Sequence, residues 1–326
     1  MEYVSIEELK GMYQTLCESR YFQKTLTAAN FGGYMDSGEE AITAGVLAAI
    51  NDDDIINNYF RGDGMALRYR GAIKLEDQMA WWFGKQSPGR PVTSLVPTNY
   101  TAMDKGVIGA TSSCLGGDAD LMMGIALAQK MKKTGKIVAF VTGDGTLGKG
   151  NYHETFTMAS LFKLPILFVI RSNGWAMSTP VEGSVAFRRV SDMAQAYQIP
   201  CETVDGNDVL AVRNAVREAA EFAREGNGPV IIEAKTYRMA AHSSNDEDDY
   251  RPVEIKKHWA AKDPLVVMEN IMKQFDIPQE EIDAIKNDAI ARVDAAFEQC
   301  KDYPMADVNL VIEKMQATVN HMWGRE

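Results

Sequence analysis

The chain has 326 residues, 46% hydrophobic and 24% charged, which is long enough to bury a core without disulfide or metal staples and too apolar for a disordered chain. Its formal net charge is −11 with no dense Lys/Arg cluster, which argues against nucleic-acid binding. Cys17, Cys114, Cys201 and Cys300 are scattered without CxxC spacing, no signal-peptide pattern opens the chain, and no apolar run is long enough to span a membrane; a cytoplasmic protein with reduced thiols is expected.

Ser5 and Glu8 have the spacing of a capping box, and Leu9, Met12, Tyr13 and Leu16 continue a helical stripe. Residues 39–50 predict a buried helix stopped by the acidic turn Asn51 to Asp54, and 75–83 predict another that ends at Gly84. Residues 85–118 are rich in Gly, Pro, Ser and Thr, and irregular stretches of that length are usually functional or mobile. The centre then alternates. A helix over 119–133 precedes a short apolar strand over 136–143, a helix over 151–162 and a second strand over 165–173. A third strand over 201–208 leads to a helix capped by Asp208 and running to Arg224, and a fourth strand covers 228–238. This alternation predicts an α/β fold with a central, mostly parallel sheet and helices on both faces. Beyond 251 the pattern is helical: Pro278 suits a first helical position, and Ile282, Ile285, Ala289, Val293 and Phe297 share one face. The expected organisation is an α/β domain over 1–250, N-terminal helices included, and a helical C-terminal region over 251–326.

Gly143-Asp144-Gly145 falls at the C-terminal end of the first central strand, the edge at which open parallel sheets bind ligands. Asn173 ends the next strand, and a right-handed crossover brings both to one edge. A carboxylate, an amide oxygen and a backbone carbonyl suit a hard cation such as Mg²⁺, completed by phosphate and water. The same residues also suit a plain strand–helix turn and a cap. Arg61, in the glycine-bounded YFRGDG turn, and Arg238, after the fourth strand, are candidate phosphate ligands, although single arginines are often only surface charges. His242 lies in the acidic loop 239–251 as a candidate proton donor or phosphate ligand; a solvated loop histidine is the alternative. With few apolar anchors, that loop is expected to order only when the anion binds. No GxxxxGK[ST], GxGxxG or GxSxG is present.

Taken in order, GDG, HETFTMASLFKLPILFV, SNGWAMSTP, VDGND, GPVIIEAKTYR, the HSS-acidic-YR loop and Asp263-Pro264 resemble the alpha subunit of the thiamine-diphosphate-dependent 2-oxo acid dehydrogenases, the pyruvate, branched-chain and acetoin enzymes among them. SGEEA (37–41) is similar to the family's early helix, and the likeness covers nearly the whole chain. The resemblance implies the thiamine-diphosphate-binding fold and two cofactors, thiamine diphosphate and Mg²⁺. It implies that Asp144, Asn173 and the Trp175 carbonyl hold the metal, in the Gly143–Gly145 turn, and that Arg61, Arg238 and His242 contact the diphosphate. His242 is then also the catalytic residue, and the backbone of Ser113 and Leu115 meets the aminopyrimidine. A beta subunit is implied to supply the pyrimidine-activating glutamate, in a heterotetramer of two alpha and two beta chains. The resemblance further implies that the acyl unit from a small 2-oxo acid or ketone passes to a lipoyl-bearing acyltransferase.

Several stretches depart from the family pattern. Asp63 stands where a histidine is usual, 94–106 has no histidine, and Asp118-Ala119-Asp120, Arg171-Ser172 and Ala240 are atypical. These changes are expected around the substrate and acceptor, with the metal and diphosphate residues kept. Three function classes follow: the alpha half of an oxidative decarboxylase; a thiamine-diphosphate-dependent carboligase or acyltransferase with a non-lipoyl acceptor; and a non-catalytic paralogue, which the retained site residues oppose.

Overall fold

The computed structural model describes residues 4–31, 33–88, 99–110 and 114–322. The strands are β1 (Ile55–Asn58), β2 (Val107–Gly109), β3 (Val138–Gly143), β4 (Ile166–Ser172), β5 (Trp175–Ala176), β6 (Thr179–Pro180), β7 (Cys201–Asp205) and β8 (Val230–Lys235). Six of them form one parallel sheet in the order β2-β1-β3-β4-β8-β7, while β5 and β6 pair as a small antiparallel hairpin. The mostly parallel α/β architecture expected from the alternating pattern is therefore present.

The central strands read as unbroken apolar runs because both faces are covered. Leu167 and Val169 of β4 join one buried cluster, and Ile166, Phe168 and Ile170 join the other. The helices on the first face include α1 (Ile6–Ala28), α2 (Glu40–Ala49) and, later in the chain, α8 (Val209–Arg224). Between α2 and α8 come α3 (Met65–Tyr69), α4 (Leu75–Trp82), α5 (Asp118–Lys132), α6 (Gly150–Leu161) and α7 (Val190–Ala196). Of these α5, α6 and α7 cover the second face, through Met122, Phe156 and Met193 among others. The Ser5–Glu8 capping box starts α1, with the Glu8 N–H donating to Ser5 Oγ at 3.2 Å and the Ser5 N–H to Glu8 Oε2 at 2.9 Å. Asp208 caps α8 by accepting from the Leu210 and Ala211 amides.

The C-terminal helices are α9 (Val253–Ala260), α10 (Pro264–Gln274), α11 (Gln279–Lys301) and α12 (Val308–Met322). Val293, Ala296 and Cys300 of α11 pack with Phe22 and Leu26 of α1 and Met79 and Trp82 of α4. Pro278 is the cap that precedes α11, one position earlier than its expected place as first helical residue. No helix among the described residues is long and apolar enough to cross a membrane.

Two strands of the sheet, β1 and β2, are not announced by the sequence. The β1 run is only four residues and ends in two asparagines. Asn57 replaces missing ladder bonds with its side chain: Nδ2 donates to the Val141 carbonyl at 2.8 Å, and Oδ1 accepts from the Val141 N–H at 2.7 Å. These strands matter for function. From β1 the chain passes to β2 on one side, and β3 then starts on the other, so the connections diverge between β1 and β3. The crevice beyond the C-terminal ends of two such strands is the place where open sheets bind ligands.

Candidate active site

Asp144 and Asn173, at the ends of β3 and β4, form one wall of that crevice. Asp144 Oδ1 accepts from the Gly145 N–H at 2.9 Å and Oδ2 from the Gly174 N–H at 2.7 Å, which ties the two strand ends together. Gly174 has a φ of +79°, a left-handed conformation that favours glycine. Gly145 is needed for space: a Cβ there would lie 2.8 Å from Ala176 Cα, so a side chain would push the β5–β6 hairpin off the site. Asn173 Oδ1 accepts from the Trp175 N–H at 3.0 Å, and its Nδ2 donates to Glu39 Oε1 at 3.0 Å. Burial pushes the Asp144 carboxyl up to about 7; the Gly174 N–H opposes the rise and the Glu39 charge adds to it.

The opposite wall is cationic. Arg61 follows β1; its Nη1 donates to the carbonyls of Met35 at 3.2 Å and His242 at 2.9 Å, and its Nη2 to His242 Nδ1 at 3.0 Å. Arg238 follows β8; its Nε donates to the Ala240 carbonyl at 3.3 Å, and its Nη2 to the Met177 carbonyl at 3.2 Å and the Tyr250 hydroxyl at 3.0 Å. Arg61 is 5% exposed and Arg238 1%, and among the described residues neither pairs with a carboxylate. Burial, then the charges of Arg61 and Arg251, lower the Arg238 pKa. Burial, then Arg61 and Arg238, push His242 down to about 4, so its imidazole is neutral at neutral pH.

The acidic loop that carries His242 has polar anchors in place of apolar ones. Asp246 accepts from the His242 N–H at 2.8 Å, the Asp248 N–H at 3.0 Å and the Tyr250 hydroxyl at 2.6 Å. The Ser244 N–H donates to the Gly33 carbonyl at 3.1 Å, and Arg251 bonds Asp248 and the carbonyls of Arg238 and Ala240.

Both walls face one cavity of about 690 Å³. Of the residues singled out in the sequence, Arg61, Leu115, Gly143, Asp144, Gly145, Asn173, Trp175, Arg238 and His242 all line it. Ser113 lies outside the described residues. Asp63 is placed differently from expectation: it lies apart from the cavity lining and pairs with Arg68 Nη2 at 2.6 Å, because Arg68 on α3 supplies the charge that a buried acid requires. Asp120 likewise accepts from Thr155 Oγ1 at 3.0 Å, between α5 and α6. Arg171 is buried behind the site, paired with Asp36 at 3.1 Å and lying over the Tyr59 ring at 4.5 Å.

Sequence reasoning missed an aromatic wall and one acid. Tyr34 meets His242 at 5.3 Å and Phe60 at 5.9 Å, and Phe31 meets Trp82 at 5.8 Å. Phe60 adjoins Arg61 in the YFRGDG turn, and recognition of β1 is the signal that would have placed it at the sheet edge. The acid is Glu39, fully buried beside Asn173, with Oε2 unpartnered among the described residues.

These residues fit a metal–diphosphate pair. Two buried arginines without a carboxylate partner favour an anion, and a buried acid beside an amide oxygen favours a cation. Among the described residues no three His, Cys, Asp or Glu side chains converge as a metal cluster, so a cation here draws also on amide, carbonyl and ligand oxygens.

Residues 21–309 match the family model described as dehydrogenase E1 component. The alpha subunit of acetoin:2,6-dichlorophenolindophenol oxidoreductase from Bacillus subtilis (strain 168) is 33% identical over 329 residues, covering 96% of this chain and 97% of that protein. The 2-oxoisovalerate dehydrogenase alpha subunit of the same organism is 33% identical over 309 residues, with 92% of each chain covered. The pyruvate dehydrogenase E1 component alpha subunit of Acholeplasma laidlawii is 32% identical over 277 residues, covering 84% of this chain and 76% of that protein.

Proposed function

The chain belongs to the dehydrogenase E1 component family, and on that premise we propose that it is the alpha subunit of a thiamine-diphosphate- and Mg²⁺-dependent enzyme that decarboxylates a 2-oxo acid, or cleaves a related ketone, and passes the acyl unit to a lipoyl acceptor. Asp144, Asn173 and the Trp175 carbonyl hold Mg²⁺, and the Gly143–Gly145 turn lets the ligand come close. Arg61 and Arg238 hold the diphosphate. The backbone of Ser113 and Leu115 meets the aminopyrimidine. Thiamine diphosphate held by Arg61 and Arg238 would supply a nucleophilic carbon and an electron sink for carbon–carbon bond cleavage. His242 is the catalytic residue: its neutral ring offers a hydrogen bond from Nε2 to the reacting oxygen. The aromatic wall of Phe31, Tyr34, Phe60 and Trp82 keeps water from that side and offers an apolar surface to the substrate. A beta subunit completes the site with the pyrimidine-activating glutamate, in an assembly of two alpha and two beta chains.

One observation carries this reading: Arg61 and Arg238, buried and without carboxylate partners among the described residues, share a cavity with Asp144 and Asn173. The test is to co-express the chain with a beta partner and to screen 2-oxo acids for decarboxylation with thiamine diphosphate and Mg²⁺. Cofactor- and metal-dependent CO₂ release is expected from the complex and not from the single chain. Turnover by the single chain, or none from the complex with any 2-oxo acid or related ketone, overturns it.

A further inference from the structure

Three acids cluster at the start of α2, and they have different partners. Asp36 pairs with Arg171 at 3.1 Å. Glu40 receives Arg20 Nη2 at 3.0 Å and the Gly38 N–H at 2.8 Å. Glu39 stands at the N-cap of α2 yet makes no side-chain cap bond, although that is the ordinary use of an acceptor at this position. It receives Asn173 Nδ2 at 3.0 Å instead, and among the described residues no arginine pairs with it and Oε2 has no hydrogen-bond partner. The positive end of the α2 dipole offsets part of the cost of burying it.

This placement determines which way Asn173 faces. An asparagine amide has a donor end and an acceptor end, and either rotation is open to it until neighbours choose. The Glu39 carboxylate accepts and the Trp175 N–H donates. Only one rotation satisfies both, and it fixes the Asn173 oxygen on the Trp175 side and its NH₂ against Glu39. Without Glu39 a single contact remains to hold the amide.

We propose that Glu39 is a positioning residue that locks the Asn173 amide with its oxygen presented as a metal ligand. This rests on the metal site proposed above. Outer-shell partners of that kind typically contribute about 10–100-fold to metal affinity. The test is Mn²⁺ titration of the alpha–beta complex by electron paramagnetic resonance, in the presence of thiamine diphosphate, which reads ligand geometry without turnover. Glu39→Leu, which removes the acceptor that faces the Asn173 amide, is expected to weaken Mn²⁺ binding about 10–100-fold. Glu39→Gln keeps an acceptor for Asn173 and is expected to recover most of that loss. Should Glu39→Leu fail to assemble, Glu39→Ala takes its place. Asp144→Ala is the control and is expected to lose Mn²⁺ outright. If it does so while Glu39→Leu binds as wild type, or if Glu39→Gln falls as far as Glu39→Leu, the positioning role is overturned and the metal site stands. If Asp144→Ala itself binds Mn²⁺ as wild type, the metal site falls, and the role of Glu39 with it.

Discussion

Arg61 donates from Nη2 to Nδ1 of His242 across 3.0 Å, and Nη1 of the same guanidinium donates to the His242 backbone carbonyl at 2.9 Å. A guanidinium has no acceptor to offer, so Nδ1 must be the bare nitrogen and the ring proton sits on Nε2. The arginine that meets the diphosphate in the proposed complex therefore also sets the tautomer of the proposed catalytic histidine.

His242 should titrate well below the ordinary histidine value. Its ordinary pKa of 6.5 is pushed down to about 4 by burial and then by Arg61 and Arg238. Because the folded value is the lower one, its contribution to stability is complete above 6.5 and is lost as pH falls through 6.5 towards 4. The chain has only four histidines, so ring-resonance titration by NMR of the cofactor-free complex, with the histidines of this chain alone isotope-labelled, can follow each one. A His242 midpoint near 6.5, or a proton on Nδ1 at neutral pH, contradicts the assignment.

Replacement of His242 should separate binding from transfer. In His242→Ala the diphosphate keeps Arg61 and Arg238, so cofactor affinity falls only modestly. A general acid–base group contributes about 10²–10⁴-fold, and that loss should fall on transfer to the acceptor more than on decarboxylation. Rapid-quench measurement of both steps decides; wild-type rates in both reduce His242 to a loop residue.

Arg238→Met removes a buried charge that faces Arg61 and Arg251, at the cost of three hydrogen bonds. The cofactor-free melting temperature should therefore stay near that of the wild type. Inorganic diphosphate at a hundred times its Kd should stabilise the wild-type complex by about 2.7 kcal/mol and the variant by far less. An equal gain in both proteins removes Arg238 from the anion site.

Asp246 holds the acidic loop through three donors, the His242 and Asp248 amides and the Tyr250 hydroxyl. Asp246→Ala should make 239–251 the first place cut in limited proteolysis, with protection partly restored by thiamine diphosphate and Mg²⁺. Unchanged cleavage of the cofactor-free variant means that Ser244 and Arg251 suffice as anchors.

Much of this was legible in the sequence because periodic apolar runs and end signals report local physics. β3, β4 and β8 lie buried between helices, so each opens with a run of apolar residues. Asp144, Asn173 and Arg238 could then be placed by counting from strand ends. β1 could not be seen, because Asn57 bonds to Val141 through its side chain and needs no long apolar run. With β1 unseen, Tyr34 and Phe60 had no reason to be brought to the cavity. Glu39 was invisible for another reason: SGEEA carries two adjacent acids, and only tertiary contacts show that Glu40 pairs with Arg20 while Glu39 reaches Asn173. Asp63 was misplaced because its partner Arg68 lies on a five-residue helix with no sequence signature.

The central claim is that Asp144 and Asn173 bind a cation while Arg61 and Arg238 bind its diphosphate. Calorimetric titration of thiamine diphosphate into the alpha–beta complex, with and without Mg²⁺, in wild type and Asp144→Ala, tests it most directly. Tight binding only with Mg²⁺, and loss of that dependence in Asp144→Ala, is the predicted result. Near-native, Mg²⁺-dependent affinity in Asp144→Ala would contradict it.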